Sequence, residues 1–467
     1  MAGSQDLPSE TPDTHDGATP ALAATEPSPG TGILMEAIDP DALKVVRRLL
    51  TAGHEAYLVG GCVRDLYLAR RPKDFDIATS ATPEAIRRLF RNSRIIGRRF
   101  KLAHVFFGSK IIETSTFRTA PQPSEADDPL ITADNEWGSV EDDARRRDFT
   151  INGLFFDVET EKIVDFVDGL TDLDAKLMRT IGDPRLRFQE DPVRMIRAVK
   201  FAARLGFDFE AETYAALLEV APDIVKCSKA RVLEEIYKLL RSGSARRSFE
   251  LMLEVGLFEH VLGPYLRQFG EPAAAKAMLL EAAAGSTEGD GLEPARLLFA
   301  LLGALDRYVG QTHEQVVNGV LHAVLFAPFI GRELASGQRH NLDRSIDARM
   351  TAVGGVVGLA RRDREMGRQI LLSHQRLLEP GRRRRAGAAA RQNFHDALVF
   401  LGLWVDAVGN GRAGLDSWQS LTSGTPTAEP EPRTQRRRRR RSGGRRGGSQ
   451  APEGPPGNGG EAHAGES

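Results

Sequence analysis

The run Arg70-Arg71-Pro72-Lys73-Asp74-Phe75-Asp76-Ile77-Ala78-Thr79 decides how this chain is read. Asp74 and Asp76 are one residue apart among apolar Phe75, Ile77 and Ala78, a spacing that predicts a strand. On a strand, positions i and i+2 point to the same face, so both carboxylates converge on one place. Two like charges side by side are costly unless a cation lies between them. Magnesium and manganese are the hard ions that take carboxylate oxygen and share it with a nucleotide's phosphates. The pair therefore predicts metal-assisted phosphoryl or nucleotidyl transfer, with Asp74 and Asp76 as metal ligands. A solvated strand end is the bland alternative, and the apolar neighbours weigh against it.

Upstream, Leu58-Val59-Gly60-Gly61-Cys62-Val63-Arg64-Asp65 ends a strand and opens a helix. Glycines let backbone approach a phosphate, the helix start offers free N–H groups, and Arg64 can add a bidentate contact. A Gly pair in such a place is most often only a turn, so its weight comes from its company. Downstream, a third carboxylate would complete a two-metal site. The candidates are Glu113, within Ile111 to Phe117, and Asp148, after Arg145-Arg146-Arg147, although Asp148 serves equally well as a salt-bridge partner or a helix cap. Such a site needs no covalent nucleophile, because the attacking group is the 3′-hydroxyl of an RNA.

The third motif is Phe188-Gln189-Glu190-Asp191-Pro192-Val193-Arg194-Met195-Ile196-Arg197. Asp191 with Pro192 after it fits a helix cap. Arg194 and Arg197 fall on one helix face above it, and an acidic acceptor beside an arginine donor complements the Watson–Crick edge of adenine or cytosine. Guanine and uracil reverse that pattern, so ATP or CTP is expected.

With 467 residues, 41% hydrophobic and 27% charged, the chain has room for several cores. Its two cysteines, Cys62 and Cys227, exclude a disulfide framework and a zinc spacing, and this usage suits a reducing cytoplasm. No apolar run approaches the roughly 20 residues of a membrane span. The formal net charge of −1 conceals an asymmetry. Residues 1–32 are acidic and read as a disordered leader. Residues 413–467 carry Arg433, the run Arg436 to Arg441 and Arg445-Arg446 among Gly, Ser and Pro, and read as a disordered polycationic tail suited to RNA.

Between these ends the pattern is α+β. A helix capped by Asp39 is expected to end by Gly53, with Leu43, Val46, Leu49 and Leu50 on one face. There follow a strand at Glu55 to Val59, a helix at Val63 to Ala69, the Asp74/Asp76 strand and a helix opened by Thr82-Pro83-Glu84. Lys101 to Phe107 and Lys110 to Phe117 read as a hairpin turning at Gly108-Ser109. Thr119 to Ser139 reads as a long mobile loop, and Leu154 to Val158 and Lys162 to Phe166 as short strands. A mixed sheet with helices on one side results, spanning residues 33–183. Helical segments follow at 184–262 and 263–412.

In this order the motifs Leu58 to Asp65, Arg71 to Thr79, Arg147 to Asn152 and Glu190 to Arg197 resemble the bacterial class II nucleotidyltransferases, the poly(A) polymerases and CCA-adding tRNA nucleotidyltransferases. The resemblance runs from about Ile38 to at least Leu262. It implies a palm-like nucleotidyltransferase head and an all-α body. It implies that Asp74 and Asp76 bind catalytic Mg2+ or Mn2+, that Gly60, Gly61 and Arg64 contact the triphosphate, and that Arg147, Asp191, Arg194 and Arg197 bind nucleotide. Asp148 matches an acidic active-site position. Arg94 to Val105 looks like the poly(A) polymerase signature, and Arg382 to Arg385 with Phe394 to Leu401 is similar to the C-terminal region of the same branch. The resemblance implies ATP as substrate and RNA 3′ ends as partner, in mRNA polyadenylation and RNA decay, with RNA-decay machinery as a further partner and neither DNA nor membrane. Addition of CCA to tRNA is the rival activity, and a non-catalytic RNA-binding scaffold a more distant one.

Overall fold

The computed structural model describes residues 32–97, 101–119, 137–285, 290–312, 314–336, 342–378 and 393–423. The expected leader apart from Gly32, most of the Thr119–Ser139 loop, Arg382–Arg385 and the arginine run lie outside these residues. The chain divides into two units at Gln419, and the description below concerns the first.

Helix α1 (Pro40–Thr51) starts where the sequence predicts, because the Asp39 carboxylate accepts from the Asp41 and Ala42 backbone N–H groups and Pro40 takes the first position. Its buried stripe is Ala42, Val45, Val46 and Leu49, while Leu43 and Leu50 pack at its margin. The stripe is thus rotated from the expected one. Strand β1 (Ala56–Val59) leads through Gly60 into α2 (Gly61–Tyr67). Strand β2 (Asp76–Thr79), α3 (Pro83–Leu89, capped by Thr82), β3 (Ser93–Ile96), β4 (Leu102–Phe107) and β5 (Lys110–Thr116) follow. Then come α4 (Val140–Arg145), β6 (Leu154–Asp157), β7 (Lys162–Asp165), α5 (Gly169–Asp174) and the two-residue β8 (Leu177–Met178).

The main sheet has the order β3-β4-β5-β2-β1-β6-β7, and β2 with β5 is its parallel pair. One face packs Leu58, Ile77, Ala103, Val105, Ile112, Leu154 and Phe156 into the large core. The other face is only partly covered. Val59, Ala78 and Phe155 form a separate cluster there with Phe117 and with Ala144 of α4. The expectation of helices on one side is therefore corrected: α4 seals the β1–β6 part of the second face, and among the described residues no helix covers the β3–β5 part.

The body begins with α6 (Pro184–Glu190), α7 (Val193–Leu205), β9 (Asp208–Phe209), α8 (Ala211–Val220) and α9 (Lys229–Leu240). The pairing of β8 with β9 ties head to body. Helices continue to the end, and one core runs from Ile33 to Trp404. Residues 413–423, expected as the start of the disordered tail, belong to a helix, Arg412–Ser423. Trp418 explains it, being buried and donating Nε1–H to the Leu377 carbonyl at 3.0 Å. Among the described residues no helix is long and apolar enough to cross a membrane.

Candidate active site

Strand β2 begins at Asp76, and Asp74 lies in the bend before it, so the i and i+2 strand geometry does not hold for the pair. Pro72 at the bend fixes φ and keeps this stretch out of the sheet. Both carboxylates face solvent at the open end of the strand, with Phe75, Ile77 and Ala78 buried around them. Their electrostatic contact survives the correction. Surrounding protein strips water from Asp76 and pushes its carboxyl up to about 6, Glu113 pushes the same way, Arg147 opposes, and Asp74 adds repulsion. Register explains Glu113, which lies directly beside Asp76 on β5. Its side chain is half exposed, not the buried unpaired charge its strand suggested, and its Oε1 is 3.5 Å from His104 Nε2.

Glu113 and Asp74 both press on Asp76, a repulsion that a hard divalent cation would relieve. Among the described residues no group of three or more His, Cys, Asp or Glu side chains is arranged to hold a metal by itself. Asp74 and Asp76 fit such an ion when oxygen from a substrate phosphate completes the set.

On the β1 side of Asp76, Gly60 has φ +74°, a conformation that side chains disfavour, and a Cβ there would lie 3.2 Å from Nη1 of Arg147. Arg147 is held by Asp143, which takes its Nε at 3.2 Å and its Nη2 at 2.7 Å, while Phe155 lies 5.2 Å from its guanidinium carbon. The remaining nitrogen, Nη1, faces Gly60. Gly61, next in line, opens α2. A phosphate lying between Gly60 and Asp76 would meet backbone on one side and a guanidinium on the other.

Arg64 is placed differently from its expected role. It is 2% exposed, donates Nε and Nη2 to Asp65 at 2.9 and 2.7 Å, and reaches Asn152 Oδ1 with Nη1 at 2.5 Å. Asp65 also accepts from Arg204 at 2.8 Å. Asn152 passes the chain on, its Nδ2 donating to Asp148 Oδ1 at 3.1 Å. Asp148 accepts two bonds from Arg197, at 2.8 and 2.5 Å. Burial alone would raise the Asp148 carboxyl, but Arg197 and Asn152 hold it down at about 2. Arg204, Asp65, Arg64, Asn152, Asp148 and Arg197 thus form one chain of charge-assisted contacts joining α2 of the head to α7 of the body.

Asp191 does not cap α7, since Pro192 occupies that position without a side-chain bond. Its Oδ2 accepts from Arg231 of α9 at 2.9 Å, and its Oδ1 is buried with no hydrogen-bond partner. Arg194 gives Nη1 to Glu190 and to the Arg187 carbonyl, both at 2.8 Å, and Arg197 turns to Asp148. Neither arginine hydrogen-bonds Asp191, although Arg197 feels its charge. What lacks a partner is Asp191 Oδ1, a buried acceptor that an amino group would satisfy.

Residues 56–179 match the Poly A polymerase head domain, and residues 206–269 match the family described as "Probable RNA and SrmB- binding site of polymerase A". The chain thus carries a poly(A) polymerase head domain followed by a region like that polymerase's RNA-binding segment. Over 242 residues it is 46% identical to Poly(A) polymerase I of Salmonella typhimurium, covering 50% of this chain and 52% of that protein. Over 237 residues it is 37% identical to the CCA-adding enzyme of Bacillus subtilis, covering 50% and 57%. The chain spans about half the length of the curated relatives it matches. A solved tRNA-processing enzyme in its apo form superposes with TM-score 0.52 at 20% identity, over 85% of this chain and 94% of that one, a likeness of fold.

Several residues at the site went unread in the sequence. Arg187 gives Nη2 to the Arg146 carbonyl at 2.6 Å and to that of Arg147, gripping the backbone just before Asp148. Phe201 has the Arg64, Arg197 and Lys200 cations 5.1, 5.7 and 4.9 Å from its ring centre. Asp143 is buried at the centre of the Arg146 and Arg147 pairs. Arg187 and Asp143 lie just before motifs, and Arg187's partners, about 40 residues away, leave no trace in local pattern.

Proposed function

We propose that this chain is a template-independent polynucleotide adenylyltransferase that adds AMP from ATP to RNA 3′ ends. The observation that carries the reading is Asp76, an accessible carboxylate pressed by Asp74 and Glu113, with Gly60 and Arg147 on its other side. The triphosphate lies along Gly60 and Gly61, where Arg147 neutralises it. Asp191 Oδ1 accepts from the adenine amino group, replacing the partner it lacks. Asp148 and Arg64 position these groups by fixing α7 against α2. Mg2+ or Mn2+ held by Asp74 and Asp76 would supply charge neutralisation at the reacting phosphate and acidify the attacking hydroxyl. That hydroxyl displaces pyrophosphate in line, and no side chain becomes covalently attached.

CCA addition to tRNA is the second reading, favoured by the 37% identity to a CCA-adding enzyme and by the fact that cytosine offers the same amino donor to Asp191. The higher identity to Poly(A) polymerase I supports the first. The purified chain incubated with magnesium and each labelled nucleotide, on an unstructured RNA and on a tRNA lacking CCA, separates them. Long ladders from ATP on both RNAs are expected. One to three additions confined to tRNA would establish the rival, and binding without incorporation would point to a scaffold. Asp76→Ala is expected to abolish incorporation with the fold intact.

A further inference from the structure

The signature-like stretch Arg94 to Val105 has no part in the site described so far, apart from its end at His104. Its strands give it one. Cross-strand register places Arg94 opposite His104, His104 opposite Glu113, and Glu113 beside Asp76. Directly paired residues share a face. Four adjacent strands therefore carry a single row, Arg94, His104, Glu113 and Asp76, on the face turned away from the main core. At about 4.8 Å per strand, His104 lies about 10 Å from the catalytic carboxylate, measured across the sheet.

The surface around the row is aromatic, apolar and cationic. Phe106 follows His104 by two residues, its ring 6.4 Å from the imidazole, and the Arg94 guanidinium carbon lies 5.8 Å from the Phe106 ring centre. Ile111 faces Phe106 across the hairpin and is 43% exposed, as is Ile96. Among the described residues these isoleucines form an unused apolar surface, since α4 with its cluster covers only the β1–β6 part of this face. Aromatic rings beside an exposed arginine are what single-stranded nucleic acid uses, bases stacking on the rings and a phosphate meeting the cation.

The side of the sheet decides which reactant belongs here. Gly60 and Arg147 lie on the β1 side of Asp76, and Glu113 and His104 on the β5 side. An in-line displacement brings its two reactants to the reacting phosphate from opposite sides. With the triphosphate on the β1 side, the β5 side is left to the acceptor. We infer that the open face of β3, β4 and β5 holds the 3′-terminal nucleotides of the acceptor RNA, with His104 and Phe106 stacking bases and Arg94 meeting a phosphate. The inference rests on the transferase reading above and goes beyond it by assigning the acceptor's path.

The test uses the full chain, oligo(A) RNA and ATP, with Arg94→Ala, His104→Ala and His104→Phe. Loss of one stack or phosphate contact is expected to raise KM for RNA about tenfold, with kcat at saturating RNA and KM for ATP within about twofold of the parent. His104→Phe is expected to restore the parent KM, because a phenyl ring stacks as well. Arg94 is exposed, so its variant keeps the core, and circular dichroism checks the fold. An unchanged KM for RNA in both alanine variants overturns the inference. So does a rise confined to ATP, which would give the face to the nucleotide, or a changed oligomeric state by sedimentation, which would make it an interface between copies. Asp76→Ala separates the two levels: if it is inactive while Arg94→Ala and His104→Ala match the parent, only the acceptor path fails; if it is active, the site itself has been misread.

Discussion

Asp148→Asn distinguishes a carboxylate that does chemistry from one that holds the site together. Asp148 keeps 10% of its side chain exposed and accepts from Arg197, Asn152 and the Phe149 backbone, so its acceptor capacity is spent within the protein. Its carboxyl is drawn from 3.8 to about 2, which corresponds to about 2 kcal/mol of stability at neutral pH, trimmed somewhat because Arg197 is one-third exposed. The sign follows from proton binding. The unfolded chain takes up the proton near pH 3.8 and the folded one only near 2, so the contribution is full above the first value and is lost as pH falls through the second. Urea unfolding of Asp148→Asn is expected to show a loss of about 2 kcal/mol at pH 7 that narrows as pH approaches 3. Arg197→Gln is expected to cost a similar amount, and the double variant less than their sum by about 1–3 kcal/mol. In the assay KM for ATP is expected to rise more than kcat falls, because Arg197 and α7 lose their anchor. An Asp148→Asn protein with the parent's urea midpoint at pH 7 and no turnover would refute this bracing role and return Asp148 to the reacting groups.

Gly60→Ala forces a side chain into φ +74° and against Arg147 Nη1, so it is expected to cost about 1–3 kcal/mol in a thermal melt and to raise KM for ATP. Glu113→Gln, which leaves Asp74 and Asp76 in place, is expected to raise the magnesium concentration needed for half-maximal incorporation without changing the urea midpoint. His374 is fully buried against Phe400 and Trp404, neither of its ring nitrogens has a hydrogen-bond partner, and burial pushes it down to about 3. His374→Leu is expected to stabilise the fold by about 1 kcal/mol at pH 7 and by more at pH 5, because the unfolded parent gains a proton below about 6.5 that its folded state refuses. Removing residues from Arg433 onward is expected to flatten the salt dependence of RNA binding and leave nucleotide addition unaltered.

Much of this was legible wherever the physics is local. Asp39 before Pro40, the Gly60-Gly61 break between strand and helix, and the β4–β5 turn at Gly108 each follow from capping or from positive φ, and each was read close to its place. Strand β3 leaves no pattern in the sequence, because its exposed Arg94, Ile95 and Ile96 show no alternation and its existence depends on pairing with β4. The Asp74/Asp76 spacing imitates a strand that begins only at Asp76, since alternation alone does not show where the bend at residues 73–74 ends. The Asp-Pro pair at Asp191 imitated a cap, while its carboxylate had been claimed by Arg231, 40 residues on. Trp418 marks where composition misleads most: the segment is polar and contains glycine as a tail would, yet one aromatic ring with a place in the core is enough to hold its helix.

What each carboxylate already touches, more than the motif that contains it, favours Glu113 over Asp148 as the acidic group to pair with Asp74 and Asp76. A residue that serves a cation must lack one in the protein's own structure, and its charge must be felt by the others. Asp148 fails on the first count, because Arg197 already neutralises it, and it is not among the groups that shift Asp76. Glu113 meets both conditions: its nearest basic neighbour is an imidazole at 3.5 Å, and it is the largest charged contributor to the rise of Asp76. The same register that sets Glu113 beside Asp76 sets His104 beside Glu113, so the acidic centre and the open aromatic face are parts of one row. A substitution that slipped β5 by one residue would move Glu113 to the core face and break the row between Asp76 and His104.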